Sequence, residues 1–123
     1  PQMVRALEIL KERVTIGCIT NNMKSGHGSG MSRTADQAAV IADIMQMFEV
    51  VVESAKVGVR KPDPRIYEMA CNELKVNPSD CAYLDDLGIN CKPAAELGMT
   101  AIKVVSPEQA LEDLENVVGF SLR

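Results

Sequence analysis

Thr20, Asn21, Lys61, Asp85 and Asp86 bring a hydroxyl, a carboxamide, an ammonium group and two adjacent carboxylates to the ends of hydrophobic segments or to the loops just beyond them. These groups match the needs of a phosphoryl group accompanied by magnesium. That ion keeps several waters and is held by one or two carboxylates plus phosphate oxygens, a role for Asp85 and Asp86. Lys61 would neutralise the equatorial oxygens as charge spreads over them, while the Thr20 hydroxyl and free backbone amides would bind a further oxygen. Taken singly, each residue has a plainer reading. Asp85 and Asp86 read as a helix N-cap and a solvated charge, Thr20 as a strand end, Asn21-Asn22 as a turn, and Lys61 as a surface lysine ahead of a helix. Their joint placement is what favours the phosphate site.

The elements that position them alternate along the chain. Residues 2–13 space Val4, Leu7, Ile9 and Leu10 as one face of a helix. Residues 14–19 are continuously apolar and β-branched, which predicts a strand covered on both faces and closed by Thr20-Asn21-Asn22. Residues 23–34, rich in glycine and serine, predict a loop, and residues 34–48 a second helix with Asp36 in its first turn. A short strand at 50–52 is followed by a polar crossing over 54–61, and Pro62 and Pro64 introduce a helix over 65–74. A third strand over 81–84 ends in Asp85-Asp86-Leu87-Gly88, and a helix over 90–97 is closed by Gly98. A fourth strand spans 100–105, and Ser106-Pro107 opens a last helix to about Asn116. This alternation specifies an α/β fold with a parallel sheet and right-handed crossovers, and in such sheets the ligand crevice lies outside the carboxyl ends of the strands.

Composition narrows the function classes. The 123 residues are 46% hydrophobic and 24% charged, with a net charge of −4, enough chain for one core without disulfides or metal. The acidic balance argues against binding nucleic acid through phosphate charge, and no apolar run approaches the ~18 residues of a membrane span. Cys18, Cys71, Cys81 and Cys91 show no CxxC spacing, and the sole histidine, His27, sits among glycines, which argues against zinc. Cys18, Cys71 and Cys81 lie in apolar segments and read as small buried hydrophobes in a reducing compartment, so a cytoplasmic address is expected. With charges throughout residues 1–13, no secretory leader is expected there.

The motifs resemble those of the haloacid dehalogenase-like hydrolase superfamily. Ile16-Gly17-Cys18-Ile19-Thr20-Asn21-Asn22 looks like its second motif, Arg60-Lys61-Pro62-Asp63-Pro64-Arg65-Ile66-Tyr67 like the lysine-bearing third, and Ala82-Tyr83-Leu84-Asp85-Asp86 like the acidic fourth. The run from Leu87 to Ala94, with Leu97-Gly98-Met99, is similar to the phosphatase domain at the N-terminus of soluble epoxide hydrolases. The resemblance implies a three-layer, Rossmann-like core and a magnesium-dependent phosphatase acting on a small phosphate ester through an aspartyl-phosphate. It further implies phosphate binding by Thr20, Asn21 and Lys61, charge stabilisation by Lys61 and magnesium binding by Asp85 and Asp86. Asn90 either orients the helix after the acidic loop or hydrogen-bonds a metal-bound water.

One family element is absent: no DxD, the motif that carries the nucleophilic aspartate, occurs in the chain. The expectation is the C-terminal part of a core, with the first strand, the nucleophile and any cap lying before Pro1, and no turnover by this chain alone. The strand over 14–19 would then pair directly with that over 81–84, borrow a strand from another chain, or await an upstream domain. Two other readings stay open. One is a non-catalytic phosphate-binding or regulatory module of a multidomain protein; the other is a dehalogenase, which needs no magnesium.

Overall fold

The computed structural model describes residues 2–21 and 35–123. The expected loop over 23–34, with His27 and Asn22, lies outside the described residues. Helices α1 (Gln2–Lys11), α2 (Ala35–Met45), α3 (Ser54–Val57), α4 (Pro64–Leu74), α5 (Gly88–Glu96) and α6 (Pro107–Val118) alternate with strands β1 (Gly17–Thr20), β2 (Val50–Glu53), β3 (Ala82–Asp85) and β4 (Thr100–Lys103).

All strand pairing among these elements is parallel, in two separate pairs. β1 runs beside β2 from Gly17↔Val50 to Thr20↔Glu53, and β3 beside β4 from Ala82↔Thr100 to Asp85↔Lys103. β1 and β3 share no ladder, so the direct pairing entertained from the sequence does not occur. Helices hold the two pairs together. On one side α4 and α5 cover a core of Val52, Ile66, Tyr67, Ala70, Cys71, Ala94 and Met99, joined by Ile19 from β1 and by Tyr83 and Ala101 from β3 and β4. On the other side α1 and α6 enclose Ala6, Leu10, Leu111, Leu114 and Leu122 with Ile102, Ala82 and Leu84. Successive residues of β3 thus serve opposite layers, as the two-residue period of a strand requires, and the outcome is the expected three-layer α/β arrangement.

Local chemistry sets the helix limits. α4 starts at Asp63, whose carboxylate accepts the Arg65 amide at 3.0 Å, with Pro64 in the first turn, where no amide donor is needed. Its apolar face, Ile66, Tyr67, Ala70 and Cys71, recurs at helical spacing, and each large buried side chain contributes roughly 1.5–3 kcal/mol. α6 begins with a capping box: the Gln109 amide donates to Ser106 Oγ at 3.1 Å, and the Ser106 amide donates back to Gln109 Oε1. It runs to Val118, past the expected end, because Gly119 (φ 83°) supplies the left-handed residue that closes it.

The structure departs from the sequence reading, or adds to it, at several points. β1 starts at Gly17 because the chain leaving α1 first turns, with the Arg13 and Val14 amides bonding back to the Leu10 carbonyl. The polar crossing contains α3, stopped by Gly58 at φ 81°. α2 forms as its periodicity predicts but buries none of its residues among those described. Among the described residues no helix is long and apolar enough to cross a membrane.

Candidate active site

Parallel pairing places the carboxyl ends of β1 and β2 together and those of β3 and β4 together, and the site residues of the two pairs meet through Lys61. Thr20 closes β1, and Asp85 closes β3. Asn21, the next residue after β1, uses its carboxamide to clasp the backbone of Lys61: the Lys61 amide donates to Asn21 Oδ1 at 2.8 Å, and Asn21 Nδ2 donates to the Lys61 carbonyl at 3.0 Å. The loop carrying Lys61 is thereby tied to the end of β1. The lysine side chain then crosses to the other strand pair, where Nζ donates to Asp85 Oδ2 at 3.1 Å.

Asp85 is the hub. Besides Lys61, its Oδ2 accepts Tyr83 Oη at 2.7 Å and Asn90 Nδ2 at 3.2 Å, and its Oδ1 accepts the Leu87 amide at 3.0 Å. Burial pushes the carboxyl up, but the donors from Tyr83, Leu87 and Lys61 outweigh it and hold Asp85 at about 2. Burial, then the bond to this anion, pushes the Tyr83 hydroxyl well above its ordinary value, so it stays protonated and donates. Tyr67, edge-on to Tyr83 with ring centroids 5.2 Å apart, donates to the Asn90 carbonyl at 2.6 Å. Asn90 is buried, and both ends of it are engaged.

Asp86 stands apart. It is exposed and makes no hydrogen bond or ion pair among the described residues. The Thr20 hydroxyl likewise makes no hydrogen bond among them. The Asp85-Asp86 pair presents hard anionic oxygens, the donor type that magnesium selects, and only Asp86 has its carboxylate uncommitted, so the residues fit that ion. Among the described residues no three His, Cys, Asp or Glu side chains gather as a metal cluster, so further ligands to such an ion would come from phosphate, water or other chain.

Of the residues singled out from the sequence, the structure joins Asn21, Lys61, Asp85 and Asn90 by direct hydrogen bonds and places Thr20 beside Asn21. Tyr83 and Tyr67 were not singled out. The signal for Tyr83 was available, since residues two apart in a strand share a face and Tyr83 precedes Asp85 by two. Tyr67 could not be found that way, because its partner lies on another helix.

A family model described as haloacid dehalogenase-like hydrolase matches residues 1–98. The chain belongs to this family. It is 34% identical over 122 residues to bifunctional epoxide hydrolase 2 of Sus scrofa, covering 99% of this chain and 21% of that protein. Over 77 residues it is 49% identical to acyl-CoA dehydrogenase family member 10 of Mus musculus, covering 63% of this chain and 7% of that one. The chain thus spans about a fifth, or less, of the length of these relatives. Among solved structures, a haloacid dehalogenase family enzyme from Bacteroides thetaiotaomicron, in complex with magnesium and inorganic phosphate, superimposes with a TM-score of 0.63 at 20% identity over 82% of this chain and 50% of that one. That likeness concerns the fold.

Proposed function

We propose that this chain is the C-terminal part of the core of a magnesium-dependent phosphatase that hydrolyses a small phosphate monoester through an aspartyl-phosphate. The observation that carries the reading is the Lys61–Asp85 ion pair at 3.1 Å, which sets a cation and a low-pKa carboxylate at the carboxyl edge between the two strand pairs. Thr20, with its hydroxyl uncommitted, and the backbone at Asn21 bind phosphate oxygens, while the Asn21 side chain fixes the lysine loop. Lys61 stabilises the charge that develops on the transferring group and holds the nucleophile. Asp86 ligates magnesium directly and Asp85 directly or through water, with Asn90 steadying Asp85 behind them. Bound magnesium supplies positive charge against the phosphate oxygens.

The nucleophilic aspartate belongs to a strand upstream of Pro1 that fits between β1 and β3, whose facing edges share no ladder. The test compares this chain with a version extended upstream to include that strand, using an aryl phosphate with magnesium. Turnover is expected only from the extended form, and Asp86→Asn should abolish it. Turnover by the short chain would overturn the missing nucleophile. Phosphate binding without turnover in the extended form would favour the non-catalytic module instead.

A further inference from the structure

We propose that Cys71 and Cys81 form a reversible oxidation site at which hydrogen peroxide drives a disulfide between α4 and the residue just before β3. Their sulfurs lie 4.0 Å apart, the only cysteine pair within hydrogen-bonding range among the described residues, although all four cysteines are free thiols. A disulfide needs about 2.05 Å. Closing the remaining gap of roughly 2 Å asks the two side chains to rotate about their Cα–Cβ bonds, with the backbone already folded around the pair. The Cys71 carbonyl accepts the Val76 amide at 3.0 Å, the Cys81 amide donates to the Pro78 carbonyl at 3.0 Å, and the Cys81 carbonyl accepts the Thr100 amide at 2.9 Å. The intervening loop is therefore closed in the reduced protein, and cross-linking asks little rearrangement of it.

The two thiols differ in a way that assigns their roles. Cys71 is 4% exposed and packs into the α4 core, whereas Cys81 is half-buried, its thiol donating to the Asn77 carbonyl at 3.3 Å. Cys81 is the sulfur a peroxide reaches. Its thiolate attacks one peroxide oxygen, the O–O bond breaks, and the departing oxygen leaves as water, giving a sulfenic acid on Cys81. The Cys71 sulfur then attacks that sulfur and loses its proton, and the sulfenic hydroxyl leaves as a second water. Two thiols have given up two electrons and two protons, and the peroxide has taken them. Burial, then its neighbour Cys81, pushes the Cys71 thiol up to about 11, so little of it is thiolate at neutral pH and its attack quickens as pH rises. The contrast is Cys91, whose thiol donates to the carbonyls of Asp85 and Ile102 and faces no second sulfur.

Cys81 stands at the opposite end of β3 from Asp85, and the proposal does not depend on the phosphatase reading. The test treats the full chain with hydrogen peroxide, digests it without reduction and maps linked peptides. A Cys71–Cys81 peptide, a melting temperature raised by several degrees and return of both on adding a dithiol are expected. Cys81→Ser should remove the link and the shift, and the double variant Cys18→Ser/Cys91→Ser should keep both. Links made chiefly through Cys18 or Cys91, or Cys71 and Cys81 remaining unlinked in the wild-type map, would overturn the proposal.

Discussion

Lys61 Nζ stands 3.1 Å from Asp85 Oδ2, with the two side chains only 14% and 7% exposed. The contact joins the β1–β2 half of the molecule to the β3–β4 half, which no strand ladder does. An ion pair this shielded is stabilising only while both partners remain and the leftover lone pairs are satisfied, as they are here by Tyr83, Asn90 and the Leu87 amide.

Lys61→Met keeps much of the aliphatic stem and removes the charge. Asp85 retains its other donors, so the loss of stability should be about 1–3 kcal/mol and not unfolding. The Asp85 carboxyl should rise from about 2 toward the ordinary range. Denaturant melts and a carboxyl-carbon NMR titration measure the two effects.

Acid should weaken the fold through the same carboxyl. Its folded value, about 2, lies below the unfolded value of about 3.9, so its stabilisation is complete above about pH 4 and is lost as pH falls through about 2. The size is on the order of 2 kcal/mol. Asp63, held at about 2 by the Arg65 side chain and amide, titrates in the same window, but its partner Arg65 is largely exposed, so solvent screens that pair more than the Lys61–Asp85 pair. Denaturant midpoints compared at pH 5 and pH 2 should fall with acid, and a flat profile would contradict the hub role of Asp85.

Tyr83→Phe separates the two carboxyls. The ring still packs edge-on to Tyr67, and only the 2.7 Å bond to Asp85 is lost. Stability at neutral pH should drop by about 1–2 kcal/mol, with the gap to wild type narrowing toward pH 2. The Asp63 contribution should be unchanged.

Asn21→Ala removes both bonds to the Lys61 backbone and leaves a part-buried amide without its partner. A cost of about 1–3 kcal/mol is expected in a denaturant melt. With the loop released, the Lys61 side-chain resonances should lose their fixed environment in NMR, and inorganic phosphate should bind more weakly.

Sequence alone determined the alternation of strands and helices, because continuous apolar runs, helical spacing and the Pro and Gly punctuation are local and survive any tertiary arrangement. It also determined which strand ends carry polar groups, since each motif residue sits at or just past a hydrophobic segment. The roles within the site were decided by tertiary structure. For Asn21 the resemblance implies phosphate binding, and the fold adds a task invisible in sequence: its side chain clasps a backbone 40 residues away. Asp85 and Asp86 look alike as text, yet one is enclosed by four donors and the other is open to solvent, because β3 ends at Asp85 and the chain then turns outward. The sequence left open whether the strands would separate into two pairs, since direct pairing of the strands over 14–19 and 81–84 was one of three arrangements it allowed. Ladder pairing depends on which edges the helices bring within hydrogen-bonding distance, and α4 and α5 hold β1 and β3 in one core without bringing them into a ladder.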